Sequence, residues 1–148
     1  MHIFIRSLIE TAKIFAIGIV CSIVFALMIL TDFAITDAFV CLILNSVALF
    51  LFLYIQYRNW SKLYRQSATR LEYFVPSLTA FAVYAAVSSV LYSRRYSLYM
   101  WFFLPTRFLE PTLNAEFAYI SVAVAHLFLL VLAFITPTLY DRQFRPRG

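Results

Sequence analysis

The 148-residue sequence is 64% apolar and 13% charged, with a net charge of +5 and only two glycines. A soluble domain carries about 25% charged residues, so this composition excludes one. A bilayer core about 30 Å thick needs about 20 mainly apolar residues per crossing helix, and the chain has the material for several.

Four apolar stretches, at 14–30, 38–57, 73–92 and 117–136, contain no Lys, Arg, Asp or Glu. Runs such as "CLILNSVALFLFLYI" do not alternate in polarity as barrel strands do. The expected fold is therefore an all-α integral membrane protein. It is read as a single membrane domain over 1–148, a four-transmembrane-helix bundle of two antiparallel hairpins.

The first stretch follows Arg6 and Lys13, as the apolar part of a signal peptide would. In "IGIVCS", however, Val20 rather than a small residue precedes Cys21, so the stretch is read as a span. Glu10 and Lys13, just before it, read as a local ion pair. Cys21 and Cys41 stand about 8 Å apart in depth, which suggests two free thiols rather than a disulfide.

Between the second and third spans lies a basic loop, 58–72. Arg58, Lys62, Arg65 and Thr69 follow a helical path there, with Trp60, Leu63 and Tyr64 beside them. Such a segment lies against an anionic inner leaflet, each cation contributing about 1 kcal/mol. Positive residues in short loops collect on the cytoplasmic side. The N-terminus, this loop and the C-terminal tail hold nine of the twelve, so both termini are expected in the cytoplasm. Orientation accounts for the charge, and nucleic acid is not an expected partner. "NWS" at Asn59 fits a glycosylation pattern, but this topology puts it on the cytoplasmic side.

The outer loop, 93–116, holds Tyr96, Tyr99, Trp101, Phe102 and Phe103 ahead of Pro105. Aromatic side chains gather at membrane interfaces, and Pro105 breaks any helix through the segment. Residues 93–111 read as an aromatic interfacial cap between the third and fourth helices, with a re-entrant loop as the sharper alternative. Trp101, Arg107 and Glu110 are the candidate lid or docking residues, the last two spaced i, i+3 for a pair on one face. Pro137 is expected to stop or kink the fourth helix.

Polar residues within the spans are the candidate site. Measured from the outer helix ends, Asn45 falls about 10 Å down, Tyr84 about 12 Å, and Cys21 and His126 about 13 Å. Asn45, Tyr84, Ser88 and His126 read either as a mid-membrane pocket or as structural hydrogen bonding of roughly 0.6 to 2 kcal/mol per residue. No cofactor or metal is expected: His2 is too far along the chain to join His126 at a haem, and no zinc spacing is present. The spans also carry small residues at close spacing, Gly18, Ser22 and Ala26 on the first, Ala82, Ala85, Ala86 and Ser89 on the third, and Ala118, Ser121 and Ala125 on the fourth. Small faces let helices in lipid approach closely.

No catalytic constellation emerges, and the chain is read as non-enzymatic. The carboxylate within the first span on which small multidrug transporters depend is absent from 14–30. The leading expectation is a non-catalytic accessory, assembly or interaction subunit of a membrane complex. The alternative is a small carrier or lipid- or solute-binding protein, with the pocket as its site and 93–111 as its lid. A redox subunit using His126 beside a quinone ranks last. Partners are membrane lipids and other membrane subunits or further copies of the chain.

Overall fold

The computed structural model describes residues 2–31, 38–94, 103–107, 109 and 113–144. Four long helices make up nearly all of this: α1 (His2–Thr31), α2 (Ala38–Gln66), α3 (Arg70–Arg94) and α4 (Ala118–Phe144). Two 3₁₀ turns, Leu104–Arg107 and Ala115–Phe117, precede α4, and the described residues include no strand. At 1.5 Å per residue the helices run about 37 to 45 Å. Three of them, over His2–Val24, Arg70–Arg94 and Ala118–Phe144, are long and apolar enough to cross a membrane. Phe4, Phe50, Tyr54, Leu127 and Phe134 are exposed on their outer sides.

α1 packs most closely on α3, and the two run in the same direction. Arg6 meets Glu72 at 3.4 Å near one end, and Phe15 packs on Tyr84 further along. Gly18 is what allows the close approach. A Cβ there would stand 3.2 Å from the Tyr84 hydroxyl and 3.3 Å from its ring, tighter than nearly all real Cβ contacts.

α3 begins at "TRLE", a variant of the capping box in which the glutamate reaches the amide before the N-cap residue. The Glu72 amide donates to Thr69 Oγ1 at 3.3 Å, while Glu72 Oε2 accepts from the Ala68 amide at 3.0 Å. The basic segment 58–66 is the continuation of α2, so only 67–69 separate the two helices. α1 likewise starts well before residue 14. In α1, Arg6, Glu10 and Lys13 are partnered, and the helix continues through them.

Pro137, expected to stop or kink α4, does not stop it: the helix continues seven residues further, to Phe144. A proline at 137 leaves the carbonyl of residue 133 without its helical donor. The buried hydroxyl of Tyr73 supplies one, donating to Ala133 O at 2.7 Å. The partner lost within α4 is thus replaced from α3.

Tyr73→Phe is expected to destabilise the bundle by about 1 to 2 kcal/mol, because a buried carbonyl loses the hydroxyl that donates to it. Pro137→Ala returns the amide donor, so in that background Tyr73→Phe is expected to cost clearly less. Thermal unfolding of the four proteins of this cycle in detergent measures the difference.

Candidate functional site

Three of the four pocket candidates come together. Ser88 is fully buried, and its Oγ lies 2.7 Å from His126 Nε2 while donating to Ala85 O at 3.1 Å. The Tyr84 ring stands edge-on to His126 at 6.2 Å. Around Tyr84 pack Phe52 at 5.6 Å, Phe15 at 5.4 Å and Phe103 at 5.2 Å. Asn45 is buried on α2, and its side-chain oxygen has no hydrogen-bond partner among the described residues. Cys21 is a buried free thiol.

The described part of the outer segment packs inside the bundle. Phe103, Pro105 and Thr106 are buried, and the Leu104–Arg107 turn lies among α1, α2 and α4. Ser121 of α4 holds it at two points, donating to Thr106 O at 2.8 Å and accepting from the Leu109 amide at 3.0 Å. Tyr84, which Phe103 touches, is ten residues below the end of α3, a depth of about 15 Å. The connector thus reaches the predicted polar layer. Arg107 is half-buried at the turn's end, whereas Trp101 and Glu110 lie outside the described residues.

A second polar group occupies the other end of the bundle, around a carboxylate the sequence reading treats as local. Lys13 Nζ does pair with Glu10 Oε1 at 2.7 Å. Glu10 is also only 2% exposed, and its Oε2 accepts from Asn59 Nδ2 of α2 at 2.6 Å. Gln56 and Trp60 are fully buried, and neither the Gln56 amide nor the indole N–H has a hydrogen-bond partner among the described residues. The signal was present as spacing: Phe52, Gln56, Trp60 and Leu63 recur at three and four residues on the buried side of α2. Ending the span at residue 57 cuts that stripe in two.

No protein-family model, curated protein or solved structure matches this chain.

Beside Asn59 opens a groove of about 610 Å³ between α1, α2 and the end of α4. Arg58, Lys62 and Arg65, the predicted inner-leaflet contacts, are exposed and line it. Among the described residues no three His, Cys, Asp or Glu side chains converge as a metal site requires.

A double-mutant cycle of Ser88→Ala and His126→Ala is expected to give a coupling of about 0.6 to 1.7 kcal/mol, the range for hydrogen bonds between membrane helices. Unfolding in bicelles measures it. Glu10→Ala, which strips both Lys13 and Asn59 of their partner, is expected to lower the melting temperature more than either α3–α4 variant does.

Proposed function

We propose that this chain is a non-catalytic membrane protein that works as an accessory or assembly subunit, with α3 as the helix presented to its partner. The observation that carries this reading is the division of small residues between the two sides of α3. Ser77, Ala80 and Ser88 are buried, while Thr79, Ala82, Ala86 and Ser89 are exposed. The exposed four follow a 3-4-3 spacing, the seam along which one helix lies against another. Val75, Val83, Val87 and Val90 flank them, also exposed.

Gly18 and Ser22 on α1, and Ala118, Ser121 and Ala125 on α4, are buried; Ala12, Ala16 and Ala123 are exposed, but they do not form a run as long as that on α3. From Tyr73 to Ser93 α3 has no charged residue, so its outer face fits a lipid-embedded helix and not a soluble domain. The occupant proposed is a transmembrane helix of another subunit. Lipid alone gives no hydrophobic drive for helix pairing, so close packing along such a seam is the available source of affinity.

In this reading α2 is the fourth span, over 38–57, and both termini face the cytoplasm. Two antiparallel hairpins agree with the pairing of Glu10 with Asn59 and Gly18 with Phe52 in the first. Tyr73 with Ala133 and Ser88 with His126 do the same in the second. The turn at Leu104–Arg107 then enters the bundle as a re-entrant plug, tolerated because protein surrounds its backbone. A carrier would need room at the Tyr84 layer, where Phe15, Phe52 and Phe103 pack around the Tyr84 ring, and this packing favours the subunit reading.

Native mass spectrometry of the full chain, purified in mild detergent from its own membranes, tests the proposal. A stoichiometric second protein is expected, reduced at least about tenfold by Ala82→Leu with Ala86→Leu, since bulk at a seam blocks approach. A homo-oligomer or a lone chain would contradict it.

A further inference from the structure

We infer that the groove between α1, α2 and α4 is a binding site for the phosphate of an anionic phospholipid, with its acyl chain along the groove's apolar wall. The inference rests on the membrane setting but not on any partner of α3.

Arg58 and Lys62 are one turn apart on α2, and Arg65 follows on the next. Among the described residues none of the three pairs with an acid. Of the nearby acids, Glu10 holds Lys13 and Asn59, and Asp141 accepts from the Tyr64 hydroxyl at 3.1 Å through Oδ2, while its Oδ1 is buried without a partner among the described residues. The groove therefore offers three uncompensated cations to an anion. Between them stands Ser61, only 8% exposed, whose hydroxyl has no partner among the described residues although it lines the groove. A buried hydroxyl without a partner is uncommon in a folded protein, and a phosphate oxygen would satisfy it. Opposite, Tyr57 donates to Gln143 Oε1 at 2.9 Å, tying α2 to the end of α4 across the site.

The rest of the lining selects the source of the phosphate. Ile17, Ile55, Tyr140 and Phe144 give the groove an apolar side. A free phosphate or a soluble phosphate ester gains nothing from that surface, whereas a phospholipid buries its chain there while its headgroup meets the cations. Bidentate guanidinium contacts from Arg58 and Arg65 suit the phosphate, with Lys62 as a point charge between them.

The test uses the full chain in neutral detergent, titrated separately with dioleoylphosphatidylglycerol, dioleoylphosphatidylcholine and inorganic phosphate. Melting temperature and lipid adducts in native mass spectrometry are the readouts. Phosphatidylglycerol is expected to bind and raise the melting temperature, with phosphatidylcholine and inorganic phosphate weaker by at least about tenfold. Arg58→Gln/Lys62→Gln/Arg65→Gln is expected to weaken phosphatidylglycerol by the same factor or more. Ser61→Leu, which keeps every cation but fills the groove, is expected to do likewise, while Arg142→Gln, at the same end but outside the lining, leaves binding unchanged. Equal binding of the two lipids, an effect of inorganic phosphate matching that of the lipid, or undiminished binding by both groove variants would overturn the proposal.

Discussion

The hydrogen bond from Tyr73 to the Ala133 carbonyl is the interaction on which the rest of the bundle's geometry rests. The proline at 137 leaves the carbonyl of fully buried Ala133 without its helical donor, at a cost of about 1 to 3 kcal/mol if nothing else answers it. The tyrosine answers it from α3 and so fixes the rotation of α3 about its own axis. Fifteen residues later the Ser88–His126 contact fixes the other end against α4. With both ends held, Ser77, Ala80 and Tyr84 must face inward, and the opposite side of α3 must face out.

That rotation also explains how small and polar residues are shared between structure and surface. The missing side chain of Gly18 leaves room for the Tyr84 ring and hydroxyl, and Ser121 holds the Leu104–Arg107 turn in place. These positions are consumed by packing within the chain. Thr79, Ala82, Ala86 and Ser89 are not, which is why they bear the proposed contact with another helix. At the opposite end of the bundle, Glu10 shows that a carboxylate lying inside a long apolar helix is retained when both its oxygens are answered, one by Lys13 and one by Asn59.

The helical class, the approximate positions of the long helices and the meeting of Ser88, Tyr84 and His126 were legible in the sequence. Period and composition carry those features. The boundaries were less legible, because a charge looks like the end of a span until its partner is known: Arg6 is paired by Glu72, 66 residues away. The same limit hid Gln56, Asn59 and Trp60, which look like loop residues when the helix is cut at 57. Pro137 was legible as a break but not as a supported one, since the support comes from a residue on another helix. Nor does any local pattern tell which small-residue face turns inward. That is decided by long-range hydrogen bonds.

The most direct test is a cysteine scan of α3 in native membranes, in a background with Cys21 and Cys41 replaced by alanine. Single cysteines at Ala82, Ala86 and Ser89 are expected to cross-link to a neighbouring membrane protein with a short bifunctional reagent, while cysteines at Ala80 and Ser88 remain uncross-linked. Cross-linking from the inward positions, or none from the outward ones, would contradict the account.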